Sequence, residues 1–170
     1  MPFIVATGQE NTYSAGVQNL SGVAGDNLII TGFTGGVVRV RRISISSSAS
    51  ASQTINANII KRSTLDTAGT FNTLAPVPHD PNNPAAFATV GYYTVAPAPG
   101  TQVGSLIRAA QIFINTAGGT PGITEWVFGD NNDQAITLRL ATHCFVLNLG
   151  SAPTNSPNIG MDIEWVESPT

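Results

Sequence analysis

Apolar and polar residues alternate with a period of two along much of this chain. Ile136, Leu138 and Leu140 alternate with Thr137, Arg139 and Ala141, and Ile159, Met161, Ile163 and Trp165 with Gly160, Asp162, Glu164 and Val166. That period places one set on each face of a sheet. The same reading predicts strands over 27–31, 37–46, 53–62, 87–95, 105–114, 123–128 and 143–149. Breakers separate them: Gly35-Gly36, Ala68-Gly69, Pro97-Ala98-Pro99-Gly100, Gly118-Gly119-Thr120-Pro121 and Gly129-Asp130-Asn131-Asn132-Asp133. The best helical challenger is 106–114, around Ala109-Ala110, but its β-branched ends and flanking Gly104 and Asn115 favour a strand. Short strands with such punctuation predict an all-β protein, an antiparallel β-sandwich or barrel.

Three segments depart from simple core strands. Residues 1–20 carry scattered apolar side chains, among them Phe3, Ile4 and Val5, and are expected to form an extended arm that finds its partners on another chain. Residues 21–170 are expected to form a single β-sandwich domain. Within it, 64–86 is a long connection that ends in Pro76-Val77-Pro78-His79-Asp80-Pro81-Asn82-Asn83-Pro84. Loops of that length are commonly functional, and the prolines favour an ordered excursion. The Ser/Ala run over 44–52 is expected to carry a strand into a bend of small residues.

A local conflict of parity is informative. Val38 and Val40 share a face opposite Arg39 and Arg41, yet regular pairing would put Ile43 and Ile45 on the arginine face. A bulge near Arg41-Arg42 returns both apolar pairs to the core. The alternative is a strand covered on both faces, with the arginines meeting carboxylates at a subunit interface. Residues 87–95 are likewise two-faced, with Phe87, Tyr93 and Val95 on one side and Val90 and Tyr92 on the other. In an antiparallel protein this points to a second packing surface and an oligomer.

Composition narrows the function classes. Hydrophobic residues make up an ordinary 42%, but charged residues only 10%, so the surface is neutral and hydrogen-bonding. Seven Lys plus Arg against ten Asp plus Glu give a net charge of −3. Such a balance offers no basic footprint for nucleic acid and no polybasic membrane patch. The single cysteine, Cys144, permits no intrachain disulfide. The first residues lack a basic n-region and no apolar run reaches the length of a membrane span, so the expectation is synthesis in the cytoplasm.

Catalytic chemistry is poorly provided for. His143 and Cys144 are adjacent in a strand and point to opposite faces, so they cannot form a nucleophile–base pair. His79-Asp80 invites comparison with a triad, but no Gly-x-Ser-x-Gly elbow supplies a serine. A turn-capping or interface pair is the better reading. Asp130-Asn131-Asn132-Asp133 offers oxygen ligands without the spacing of a calcium loop, and Asn and Asp are ordinary turn residues. Trp126 and Trp165 could stack on sugars, but both lie in apolar series that favour packing. The expectation is a protein with no catalytic residues, no cofactor and no metal.

Lys61-Arg62-Ser63-Thr64, Pro78-His79-Asp80, Arg108-Ala109-Ala110 and Asp162-Ile163-Glu164-Trp165 occur in an order that resembles the small β-rich cement or decoration proteins of tailed-bacteriophage heads. The resemblance spans about Val37 to Glu167. It implies a jelly-roll-like sandwich, assembly as a homotrimer, a place on the capsid exterior and clamping of neighbouring major capsid subunits. The expected interface residues are then Phe3, Ile4 and Val5 of the arm, the anchors Arg39, Arg41, Arg42 and Arg62, the His79-Asp80 pair, and Tyr92 and Tyr93. The rival reading is a receptor- or carbohydrate-binding module of a phage fibre or adhesin. A hydrolase on the same scaffold ranks third.

Overall fold

The computed structural model describes residues 10–116, 122–130 and 134–169. Strands follow one another as β1 (Asn11–Leu20), β2 (Gly25–Thr31), β3 (Gly36–Ala49), β4 (Gln53–Arg62), β5 (Thr70–Thr73), β6 (Val77–Pro78), β7 (Val90–Val95), β8 (Arg108–Thr116), β9 (Gly122–Val127), β10 (Ile136–Leu138), β11 (Cys144–Leu149) and β12 (Asn158–Pro169). No helix occurs among the described residues.

Two layers result. The first runs β6-β1-β12-β3, with β9 and β10 sharing the far edge of β3; the second runs β5-β7-β2-β11-β4-β8. Their central quartets are β1-β12-β3-β9 and β2-β11-β4-β8. Taken in chain order, these eight strands interleave between the layers as two Greek keys do, which is jelly-roll connectivity. The pairing is antiparallel except where Ser48 and Ala49 of β3 meet Asn115 and Thr116 of β8 in parallel. There β8 leaves the second layer and joins the first, so the whole curls into one mixed, barrel-like sheet.

Strand alternation builds the core. Ile159, Met161, Ile163 and Trp165 of β12 face Ile55, Ala57 and Ile59 of β4 and Phe145, Leu147 and Leu149 of β11 in one cluster. On β3, Glu164 pairs with Arg42 and Trp165 with Val40, leaving Arg41 as the extra residue of a bulge. Val38, Val40, Ile43 and Ile45 are all buried in consequence. The three arginines are turned outward.

The second half of the expected arm is a core strand. Residues Asn11–Leu20 lie between β12 and β6, with Tyr13 and Ala15 buried. The Tyr13 ring stacks on Trp165 at 5.9 Å, and its hydroxyl donates to the Pro84 carbonyl at 2.8 Å. Small residues such as Ala15 and Gly16 mute the alternation here, which is why the segment does not announce itself. Phe3, Ile4 and Val5 lie outside the described residues.

The long connection over 64–86 adds β5 to the edge of β7 and β6 to the edge of β1. The two-faced strand β7 finds part of its second surface within the chain. Val90 faces the main core, while Tyr93 packs on the outer face of the second layer with Ile29, Cys144 and Val146. Segments 63–67 and 98–103 close over this face through Ser63 N–H to Thr101 O, reciprocal bonds between Thr67 and Ala98, and Val103 N–H to Lys61 O. Tyr93 is therefore covered within the chain, whereas Phe87 and Val95, which share its face in the sequence pattern, stay exposed.

Candidate functional site

An aromatic groove opens where β2, β5 and β7 run out. Its volume is about 490 Å³, and Phe33, Leu65, Phe71, Phe87 and Tyr93 are among its lining residues. Phe33 and Phe87 stack with centroids 5.1 Å apart, and Phe71 tilts against Tyr93 at 5.3 Å. Phe87 is 56% exposed, and Leu65 and Phe71 are also open to solvent. The groove is thus a concave, mainly apolar surface, lined mostly by the loops that flank these strands.

Two glycines set the rings. A Cβ on Gly91 would lie 2.4 Å from the Phe71 ring, and one on Gly36 2.3 Å from the Phe33 ring. Each phenyl thus rests directly on backbone, at a distance that any side chain would forbid.

Beneath the groove wall lies a buried charge cluster. Arg62, at the end of β4, is 5% exposed and forks onto Asp26, with Nε–Oδ2 at 2.6 Å and Nη2–Oδ1 at 2.8 Å. Its Nη1 donates to the Gly100 carbonyl at 2.9 Å. Asn148 Nδ2 donates to Asp26 Oδ1 at 2.5 Å. The Asp66 side chain is fully buried, its Oδ1 3.5 Å from Arg62 Nε and accepting the Gly100 N–H at 2.8 Å. Its Oδ2 is buried with no hydrogen-bond partner.

One guanidinium therefore serves two carboxylates. Burial pushes the Asp66 carboxyl up to about 6; the Gly100 N–H opposes the rise and the neighbouring Asp26 adds to it. Burial also pushes the Tyr93 hydroxyl and the Cys144 thiol up to about 12, with the charge of Asp66 adding to both. At neutral pH the Cys144 thiol is protonated and donates weakly to the carbonyls of Thr64 and Thr142. It is packing, not a nucleophile.

The residues expected at an interface are dispersed. Arg39 and Arg41 share Glu10 at 3.2 and 2.8 Å, and Arg39 also donates to Ser168 Oγ. Arg42 is ringed by Glu125, Asp162 and Glu164 at 3.1, 3.6 and 3.8 Å. These three arginines lie on the outer face of the first layer with carboxylate partners from their own chain. Arg62, expected as an outward anchor, is instead the interior centre of the charge cluster, because β4 delivers it under segments 63–67 and 98–103.

His79 is exposed, and its backbone N–H donates to Thr12 O. The Asp80 carboxylate accepts from Asn82 N and Nδ2 at 2.9 and 3.1 Å, which caps the turn. Tyr92 is half-buried on β7, while Tyr93 reaches the groove. Trp165 is fully buried and Trp126 packs against the core. Of the Asp130–Asp133 loop, residues 131–133 lie outside the described residues, and no cluster of three metal-ligating side chains occurs among the described ones.

Only Tyr93 and Phe87 had drawn notice in the sequence as part of a second surface. Phe33, Phe71, Asp26 and Asp66 had not. Their signal was a large aromatic set in glycine-rich turns, Gly32-Phe33 and Gly69-Thr70-Phe71. Comparisons with protein families, curated proteins and solved structures found no match.

Proposed function

We propose that this chain is a structural virion protein, a cement or decoration protein that binds the outside of a tailed-phage head as a trimer and stabilises the shell. The observation that carries this reading is the open aromatic groove on a stiff jelly-roll scaffold whose arginines at 39, 41, 42 and 62 are engaged within the chain. Such a molecule is built to hold a partner rather than to transform one. Jelly-roll sandwiches serve widely in capsids, and the ordering of motifs along the chain supports the phage-head assignment.

The physics of the role is simple. A protein that binds the assembled lattice but not its dissociated subunits stabilises the lattice by mass action. A trimer that touches several capsid subunits adds weak contacts through avidity. A low-charge surface rich in Ser, Thr and Asn suits the hydrogen-bonded, hydrated rim of such contacts.

Peptide mass spectrometry of gradient-purified virions tests the reading. Copies in a simple ratio to the major capsid protein are expected. Absence from the particle refutes it, and a handful of copies moves the chain to tail or fibre. A receptor- or sugar-binding module of a fibre is the second reading, favoured by the open ring of Phe87, stacked on the half-buried Phe33 beside Thr31, Thr34 and Thr89. Glycan binding lost on Phe87→Ala would select it.

A further inference from the structure

The aromatic groove and the buried charge cluster share a wall. Asp66 belongs to both: it borders the groove beside Leu65 and Ala68, and its side chain turns beneath that wall to meet Arg62 and Asp26. Two carboxylates against one guanidinium leave one negative charge uncompensated when both are ionised. Ionised, Asp66 leaves its buried Oδ2 without a partner beside the Asp26 carboxylate; protonated, it is within reach to donate to Asp26. The groups that face Asp66 are Asp26 from β2, Arg62 from β4, Tyr93 from β7 and Cys144 from β11. Arg62 is the only cation among them, and it is already forked onto Asp26.

Four aromatic rings over an excess of buried negative charge suit a particular guest. Ring faces attract cations through their quadrupole, and the stems of Lys and Arg pack on apolar surface. A purely apolar guest would fill the rings and leave the charge unanswered. An acidic guest would be repelled.

We propose that this groove docks a segment of a partner protein that carries a lysine or arginine between apolar residues, with the rings taking the apolar flanks and the buried carboxylate pair selecting the basic side chain. The preference follows from the groove itself, whatever assembly the chain belongs to. It also links docking to protonation. Below about pH 6 Asp66 holds a proton, the cluster is neutral and the selection disappears; above it the selection is present. By reciprocity, entry of the basic side chain favours loss of the Asp66 proton.

The full chain, labelled with ¹⁵N, is titrated by NMR with two capped peptides, acetyl-Leu-Lys-Phe-amide and its neutral analogue with norleucine for lysine. At pH 7.5 the lysine peptide is expected to bind roughly three- to tenfold more tightly, the scale of one partly screened charge pair. Its shifts should centre on Phe33, Phe71, Phe87 and Tyr93. At pH 5, and in Asp66→Asn at either pH, the two peptides should bind alike. Equal binding at pH 7.5, a lysine preference that survives at pH 5, or shifts away from the groove would each overturn the proposal. So would silence from both peptides at millimolar concentration. The pH arm uses the unmodified protein and decides the matter even if Asp66→Asn fails to fold.

Discussion

Replacing Asp66 by Asn tests the charge cluster through stability. An acid raised by folding from 3.8 to about 6 leaves the folded state holding more protons than the unfolded state between those values. Stability therefore falls as pH rises through this window, opposite to the usual carboxylate behaviour. At about 1.4 kcal/mol per pH unit, ionised Asp66 costs the native state about 3 kcal/mol at pH 7.5. Asparagine has the same shape and keeps an oxygen for the Gly100 N–H. Its amide can also donate towards Asp26, so the variant should be more stable than the parent by about 1–3 kcal/mol at pH 7.5 and about equal to it at pH 4.5. Urea unfolding of both proteins at the two pH values measures this, and the other titrating groups cancel in the difference. A variant less stable at pH 7.5, or a difference independent of pH, would mean that folding does not raise Asp66 and that Arg62 stabilises its charge as well as water does.

Other perturbations read separate parts of the structure. Arg62→Met strands Asp26 and Asp66 without a cation and should cost about 3–5 kcal/mol in urea unfolding, whereas an exposed anchor would cost almost nothing. Trp165→Ala removes the largest fully buried side chain and its stacking on Tyr13, for an expected loss of about 3–5 kcal/mol by the same assay. Tyr13→Phe deletes the bond to Pro84 and should cost about 1 kcal/mol, an effect absent if residues 11–20 formed a detachable arm. The double variant Phe71→Ala/Phe87→Ala should keep a cooperative urea transition yet lose capsid binding in a co-sedimentation assay; undiminished binding would place the contact elsewhere.

The strands whose faces differ most were legible before any coordinates. Residues 53–59 and 159–165, in β4 and β12, alternate strongly because one face meets the main core and the other is more open, while 143–149 reads as a strand through a nearly continuous apolar run because both faces of β11 are covered. The bulge at Arg41 was legible for the same reason, since two valines and two isoleucines of opposite parity cannot otherwise share one core. Strands β1, β5 and β6 were not: the first alternates through alanine and glycine, and the other two are only four and two residues long. Their pairing comes from neighbours far away in sequence.

Alternation along a strand is a local property, so the sequence alone determined that this protein is all-β and which side chains of β3 and β12 face the main core. It did not do so at Leu140, which is exposed beyond the end of β10 although it continues the series of Ile136 and Leu138. Strand order, the reversal of Arg62 from surface anchor to buried centre, and the groove were decided only by tertiary structure. Phe33, Asp66, Phe71, Phe87 and Tyr93 sit on three separate stretches of chain, and only the folding of the 64–86 excursion across the edge of β7 brings them together. No periodicity can encode such a meeting, because it depends on where distant segments pack rather than on the spacing of residues within any one of them.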